Sequence, residues 1–426
     1  MAVRSSPSVI RVPFLHRLFA VFVLVMSTKP FMYPRTVGGG TEATGGGAAL
    51  RYYWAVVGLF VLIIVVTRGR LRTGTWRRLV GSPFLPAVVL LCVVSAGWSL
   101  TPAFTLQKSV SLVVTVLVAV YIGIQFDLGD QVGLLNTALL ALMMASLLTV
   151  LLIPGLGLEQ GFRGPEVRGA FENKNLLGRY AGLSVLVGLT AWRMDRKASG
   201  SILMAAAVVL LAITPSITSW SGVFAALSLI PLLRFARLRP RAAIGLLSLG
   251  LLTVIVAGTW ALLNYAAILA ALGRNPDLTG RVPFWAVLVT QIEARPVVGY
   301  GYHGFWHGWD GPSRTLWMIF PWHPTHAHNG FLDAILNVGG VGFALLSLYL
   351  IRSARDGVVW LRSTVGAVGE WPLLLMAYVV TINFSYSTLL AGNNLFWILW
   401  VSTATALVGH RFQSAAPGTP NITLNG

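Results

Sequence analysis

Apolar segments of about membrane-spanning length recur through most of this 426-residue chain, separated by short polar or basic connectors. A helix needs about 20 mostly apolar residues to cross the hydrocarbon core of a bilayer. Charged residues make up 10% of the chain, whereas soluble domains carry about 25%, and this shortage of charge excludes an ordinary soluble globule. Because lipid offers exposed backbone no hydrogen-bond partner, the segments are expected to be helices. The sequence therefore predicts an all-α polytopic membrane protein.

About twelve transmembrane helices fit the apolar pattern. Several segments are short, and Pro215 and Pro231 interrupt two of them, so the count is defined to within two. The expected spans are 14–32, 52–67, 83–100, 109–126, 134–156, 176–192, 201–217, 220–234, 242–271, 330–351, 371–390 and 394–409.

The basic residues orient these spans. The net charge is +18, but the Lys and Arg residues lie between apolar segments and form no stripe, so topology explains the charge better than nucleic-acid binding does. With the N-terminus in the cytoplasm, nineteen of the 31 basic residues fall in cytoplasmic segments, as the positive-inside rule expects. Both termini are therefore predicted to face the cytoplasm.

The chain divides into four parts along its length. Residues 1–271 hold the first nine spans, 272–329 form a large outer loop, 330–412 hold the last three spans, and 413–426 form a disordered cytoplasmic tail. Structureless loops longer than about 15 residues are uncommon and are usually functional or disordered. Aromatic and glycine residues are frequent in 272–329, which argues against disorder. We therefore expect the chemistry in this loop.

Five of the seven histidines fall within 26 residues of the outer loop, at His303, His307, His323, His326 and His328. The first three are expected to be interfacial residues, since tryptophans surround them as in an aromatic belt. His326 and His328 stand directly before an apolar helix and are the stronger functional candidates. Histidines two apart can chelate a metal from an extended strand, but no carboxylate follows at a ligand spacing, so no metal site is expected.

Arg281 follows Thr279, which can cap a helix that has Pro283 in its first turn. A cation at the positive end of a helix is unfavourable by a few tenths of a kcal/mol, roughly, unless an anion uses both the guanidinium and the free amides. The position therefore favours a phosphate ligand. A surface pair between Arg281 and Asp277 is the alternative.

The first outer segment carries a second group of cations, Arg163, Arg168, Lys174 and Arg179, within 17 residues. Asn175 and Arg179 are four apart and are expected to share one face of the helix that begins the sixth span. Ionisable groups at a membrane boundary usually face a cavity, a partner or a bound ion. Snorkelling of Arg179 to the interface is the alternative.

Three motifs, taken together, resemble those of a known family. They are FENKN at 171–175 followed by a leucine-glycine helix, LTGR with RPVVGYGY up to residue 302, and HAHNGFLDAILNVGGVG from residue 326. In order and spacing they are similar to the O-antigen ligase and O-unit or exopolysaccharide polymerase superfamily of bacterial membrane glycosyltransferases. The resemblance covers about residues 80–405. It implies a GT-C-like fold that works without metal or other cofactor at the outer face of the inner membrane.

The same resemblance implies roles for individual residues. Arg281 would hold the diphosphate of an undecaprenyl-diphosphate-linked glycan donor, and His326 or His328 would take the proton of the acceptor hydroxyl. On the donor side the resemblance places Arg168, Lys174 and Arg179. Further substrate contacts are expected at neighbouring motif positions, namely Asn173, Asn175, Tyr300, Tyr302 and Asn329.

These expectations combine in one reaction, an inverting transfer in which cations stabilise the departing diphosphate and a histidine activates the acceptor. The motif details favour a polymerase of exopolysaccharide repeat units, with a flippase and a chain-length regulator as further partners. An O-antigen ligase that moves the glycan onto a lipid core or a protein stays open. A secondary transporter is the more distant alternative, because transporters place ionisable groups near mid-membrane and this chain places them at the outer boundary.

Overall fold

The computed structural model describes residues 13–32, 35–37, 40–42, 46–161, 164–214, 216–238 and 281–414. Within these ranges the chain is mostly α-helical. In chain order the helices are α1 (Phe14–Met26), α2 (Gly46–Thr67), α3 (Gly69–Gly81), α4 (Phe84–Val94), α5 (Pro102–Gln125), α6 (Leu128–Leu152), α7 (Pro154–Gly157), α8 (Lys174–Arg193), α9 (Lys197–Ile213), α10 (Ile217–Leu238), α11 (Arg281–Ala294), α12 (Arg314–Ile319), α13 (Gly330–Ser363), α14 (Ala367–Asn383) and α15 (Leu395–Ser414).

Four of the described helices, α5, α6, α10 and α13, are long and apolar enough to cross a membrane. The bent pair of α2 and α3 makes a fifth if it is one broken span. The chain is therefore a polytopic membrane protein. Eleven of the twelve predicted spans contain a helix, and the remaining one, 242–271, lies outside the described residues. The count of twelve and the GT-C-like arrangement stay predictions.

The interruption predicted at Pro231 was wrong. Helix α10 runs unbroken through this proline, because membrane helices tolerate proline where neighbouring groups satisfy the freed carbonyl. Helix α13 continues to Ser363, twelve residues past the predicted end of its span. Apolarity marks only the part of a helix that lies in lipid, and arginine is a good helix former beyond it.

Two short antiparallel hairpins, which the sequence did not predict, interrupt the helices of this mainly α-helical fold. Strands β1 (Arg35–Val37) and β2 (Gly40–Glu42) form one, and β3 (Leu158–Gly161) and β4 (Gly164–Val167) form the other. Each strand has three or four residues and no alternation of apolar and polar side chains. Such strands leave no periodic signal that could predict them.

The described residues belong to two compact units. The first unit combines residues up to Thr75 with Leu117–Trp220 and the C-terminal part from Val401. The second unit combines Trp76–Val116 with Ser221–Trp400. The outer loop and helix α13 thus belong to the second unit, and the FENKN segment belongs to the first.

Helix α13 breaks at Gly339, where the backbone has φ 64° and ψ −170°. The turn 296–300 lies against the break: the N–H of Gly340 donates to the carbonyl of Pro296 at 2.8 Å, and the N–H of Tyr300 donates to the carbonyl of Leu336 at 3.0 Å. A Cβ on Gly339 would lie 2.2 Å from the carbonyl oxygen of Val297. Gly299 in the turn and Gly339 in helix α13 belong to separate motifs, and together they let the two backbones approach each other closely.

We expect Gly339→Ala to destabilise the second unit by about 1–3 kcal/mol from the backbone conformation alone, since this region is essentially restricted to glycine. The clash with Val297 adds to that cost. Thermal unfolding of the detergent-purified protein measures the effect. Gly97→Ala is the matched control, because a Cβ at Gly97 meets nothing within 4 Å; equal melting temperatures for the two variants would contradict the assignment.

Candidate active site

The histidine pair lies in the turn that begins helix α13. Asn329 caps this helix, since its side-chain oxygen accepts the N–H groups of Phe331 at 3.0 Å and Leu332 at 3.2 Å. His328 has a φ of 50°, which is uncommon for a residue other than glycine. The resulting bend brings the rings of His326 and His328 to a centroid separation of 4.0 Å. A tight turn, rather than the extended strand considered from sequence, therefore joins the two imidazoles.

Ala327, between the two histidines, has both its backbone N–H and its carbonyl bonded to side chains. Its N–H lies 3.1 Å from each carboxylate oxygen of Asp333. Its carbonyl accepts the indole N–H of Trp285 at 2.8 Å. The Asp333 carboxylate, which is 7% exposed, also accepts the indole N–H of Trp306 at 2.8 Å. Two tryptophans and one buried aspartate thus support the histidine turn.

Arg281 is the first residue of α11. Trp285 lies four residues later, on the same face of the helix, and it is the residue that bonds Ala327. The ring of Phe284, in the same turn, lies 6.5 Å from that of His328. Helix α11 therefore brings Phe284 and Trp285, about one turn after Arg281, to the histidine turn within the second unit. The alternative partner, Asp277, lies outside the described residues.

The other histidines of the loop contact different groups. The N–H of His303 donates to the side-chain oxygen of Asn337 at 2.9 Å. Burial, together with the charges of Lys108 and His326, lowers the pKa of His303 to about 3, so His303 is neutral at physiological pH and cannot supply a cation for phosphate. His307 packs edge-on against Phe104.

The remaining histidine of the outer loop, His323, stacks on the ring of Trp317 at 4.9 Å. Its backbone is left-handed, with a φ of 44°, and the side chain is exposed. Stacking of an exposed imidazole on a half-buried indole is the kind of contact that an interfacial aromatic belt contains. The interfacial interpretation of His323 stays a prediction.

Both tyrosines of the RPVVGYGY motif are buried and bonded within the protein. The hydroxyl of Tyr300 donates to the carbonyl of Gln291 at 3.1 Å. The hydroxyl of Tyr302 donates to the carbonyl of Leu390, and its backbone N–H donates to the hydroxyl of Ser95 at 2.8 Å. These contacts shape the turn beside the break in α13. A direct contact between either tyrosine and substrate stays a prediction.

In the first unit, the start of α8 joins the β3–β4 hairpin. Asn173 caps the helix by accepting the N–H of Leu176 at 3.0 Å. The ammonium of Lys174 pairs with Glu166, and its backbone N–H donates to the carboxylate of Glu159 at 2.8 Å. Lys174 therefore stabilises the local fold. Its contact with the donor stays a prediction.

The other predicted residues of the first unit differ in burial. The Nε of Arg168 donates to the carbonyl of Leu156 at 3.1 Å. Arg179 is 4% exposed, whereas Asn175, one helical turn earlier, is exposed. A buried arginine in an apolar helix agrees better with an internal role than with snorkelling. The donor contacts of this group stay predictions.

Several residues of the second unit were missed or undervalued from sequence. Lys108, in the second turn of α5, holds its ammonium 5.0 Å from the ring centre of Phe104 and is close enough to affect His303. A single lysine near the end of an apolar helix is typical of interfacial anchors, so the sequence did not mark Lys108 as a site residue. Asp333 was not among the predicted site residues, although an acid in a first helical turn already indicates a bond to N-terminal amides.

Metal binding gains no support from the described residues, where no group of three histidine, cysteine or acidic side chains could hold an ion. The same part of the chain offers the pair His326 and His328 with Asp333, whose carboxylate oxygens are already bonded to Ala327 and Trp306. That the reaction needs neither metal nor other cofactor stays a prediction.

Comparison with known proteins gives two matches. A family model described as O-antigen ligase matches residues 202–347, a range that contains Arg281, the histidine pair and the break in α13. The exopolysaccharide production protein ExoQ of Rhizobium meliloti (strain 1021) is 25% identical over 371 residues, which cover 82% of this chain and 78% of that protein. Both matches agree with the motif resemblance to the O-antigen ligase and polysaccharide polymerase superfamily.

Proposed function

Because the chain belongs to the O-antigen ligase and polysaccharide polymerase superfamily, we propose that it is an inverting membrane glycosyltransferase that polymerises exopolysaccharide repeat units. The donor is a glycan linked to undecaprenyl diphosphate, and the acceptor is a sugar hydroxyl of a second lipid-linked unit. The main support is the bond from Trp285 to the carbonyl of Ala327, which links the helix of Arg281 to the turn that carries the two imidazoles.

Arg281 acts on the donor in this proposal. As the glycosidic bond breaks, negative charge develops on the diphosphate, and preorganised donors lower the energy of that state. A guanidinium at a helix N-terminus provides a planar fork and adds the amides of the first turn. Arg168, Lys174 and Arg179 are proposed as further donor contacts, and Asn173 and Asn175 as polar contacts to the glycan.

The histidine pair acts on the acceptor. A neutral imidazole takes the proton of the attacking hydroxyl near neutral pH. Attack on the face of the sugar opposite the diphosphate inverts the configuration of the anomeric carbon. A diphosphate is already a good leaving group, so the reaction does not need the pair of carboxylic acids that glycosidases use. Asn329, which caps α13, is proposed to orient substrate at the same turn.

A ligase is the second candidate, because the matching family model is described as O-antigen ligase. A ligase would carry out the same chemistry with a lipid core or a protein side chain as acceptor. The similarity to an exopolysaccharide production protein over most of both chains favours the polymerase. In either case we propose the inner membrane as the location, with the site on its outer face, both termini in the cytoplasm, and a flippase and a chain-length regulator as partners.

Purified protein in proteoliposomes tests the proposal. With undecaprenyl-diphosphate-linked repeat units alone, we expect a ladder of glycans of increasing length, analysed by gel electrophoresis and mass spectrometry. Transfer that begins only after a lipid-core acceptor is added would identify a ligase. Solute uptake into sealed vesicles without any glycan transfer would identify a transporter and would refute the proposal.

A further inference from the structure

Ala327 lies between two peptide groups, and each of them has one polar group bonded to a side chain. Asp333 accepts the N–H of the peptide that joins His326 to Ala327, and Trp285 donates to the carbonyl of the peptide that joins Ala327 to His328. Since each peptide is planar and rigid, these bonds orient the Cα atoms of His326 and His328, from which the two imidazoles extend. Positioning of this kind is what a reaction between two large substrates needs.

The two histidines are not equivalent in this turn. The backbone N–H of His328 donates to Nδ1 of His326 at 3.1 Å. A nitrogen that accepts a hydrogen bond carries no proton, so neutral His326 has its proton on Nε2. Protonation of Nδ1 would place two N–H groups against each other. His326 is therefore arranged to donate through Nε2 and is poorly arranged to accept a proton.

We infer that Asp333 is a positioning residue. By accepting the N–H of Ala327 it holds the turn so that His326 donates a hydrogen bond and His328 accepts the proton of the acceptor hydroxyl. This division of roles rests on the proposed function. In the transfer step the acceptor oxygen forms a bond to the anomeric carbon while the bond from that carbon to the diphosphate oxygen breaks. The diphosphate leaves with the electron pair, and His328 becomes an imidazolium that returns its proton to solvent.

The carboxylate of Asp333 is suited to this task because both of its oxygens accept from the protein. Oδ1 accepts the indole N–H of Trp306 at 2.8 Å and the N–H of Ala327 at 3.1 Å, and Oδ2 lies 3.1 Å from the same N–H of Ala327. An amide at position 333 has one oxygen, so if that oxygen keeps Trp306, the NH₂ group lies against the N–H of Ala327. Asp333→Asn should therefore misplace the histidine turn, with little change in side-chain volume.

We expect Asp333→Asn to lower kcat by about 10–100-fold, the range that a small misplacement of a catalytic group causes, with KM within about twofold of wild type. Adding Trp306→Phe removes the competing donor and lets the amide oxygen turn to Ala327. The double variant should recover part of the lost kcat, a coupling that additive damage to the fold cannot produce. Asp356→Asn is the matched control, because Asp356 is a buried acid of the same helix, 4% exposed.

His326 is tested with two amides that imitate different ring nitrogens. The oxygen of asparagine takes the place of Nδ1 and can accept the N–H of His328, whereas the longer side chain of glutamine imitates Nε2. If holding the turn is the main task of His326, His326→Asn retains at least about tenfold more activity than His326→Ala. If donation through Nε2 also matters, His326→Gln with its NH₂ group exceeds His326→Ala. Equal loss in all three variants would contradict both tasks.

The tautomer is measured without any activity. Protein labelled with ¹⁵N-histidine, with His326 assigned from the spectrum of His326→Asn, should show the proton of neutral His326 on Nε2. Absence of glycan transfer in wild type would refute the proposed function while leaving this measurement meaningful. A proton on Nδ1 of His326, or a double variant less active than Asp333→Asn alone, would overturn the inference.

Discussion

We expect Arg281→Ala to lower the initial rate of glycan transfer by at least about 10²–10³-fold, because the variant loses a preorganised donor to the developing charge. The chain still folds, because Arg281 is partly exposed at the first position of α11 and the anchoring contact of that helix is made by Trp285. Transfer is measured in proteoliposomes with lipid-linked repeat units, and folding by thermal unfolding in detergent.

Two further variants make the Arg281 result specific. Arg281→Lys retains the charge but loses the planar fork, so its rate should lie between those of wild type and Arg281→Ala. Arg314→Ala removes an exposed arginine that begins helix α12 in the same outer loop, and it should transfer glycan at the wild-type rate. Near-wild-type polymer from Arg281→Ala would remove this residue from the site.

We expect His328→Asn to lower kcat by about 10²–10⁴-fold, the contribution of a positioned general base, and to leave KM nearly unchanged. Asparagine is the suitable replacement because it tolerates the left-handed conformation better than most residues, and His328 has a φ of 50°. The wild-type enzyme should lose activity as the pH falls and its base becomes protonated, whereas the residual activity of His328→Asn should lack that acid limb.

His323→Asn is the matched control for this variant. His323 also has a left-handed backbone, with a φ of 44°, and its ring lies against Trp317, as the ring of His328 lies 5.3 Å from that of Trp322. The substitution therefore reproduces the backbone effect of His328→Asn and the loss of a contact with a tryptophan ring without removing the proposed base, and kcat should stay within about twofold of wild type. A loss in His323→Asn as large as that in His328→Asn would assign both effects to loop stability.

The membrane-spanning character of the chain and the candidate residues at its helix ends could be predicted from the sequence. The apolar segments predicted helices in eleven places, because a chain in lipid must satisfy its backbone within each segment. The helix that carries Arg281 was predicted for the same local reason, since capping and proline preferences act over one turn. The candidates Arg281, His326 and His328 came from residue types at the ends of these helices.

The contacts that organise the turn could not be predicted in this way. Asp333 bonds an amide six residues earlier, and Trp285 bonds a carbonyl 42 residues away; no spacing rule relates such partners. The glycines at 299 and 339 belong to separate motifs, and their need for each other exists only where the two backbones meet. Helix formation depends on neighbours in the chain. The roles that we propose for His326 and His328 depend on hydrogen bonds to Asp333 and Trp285 that tertiary packing brings together.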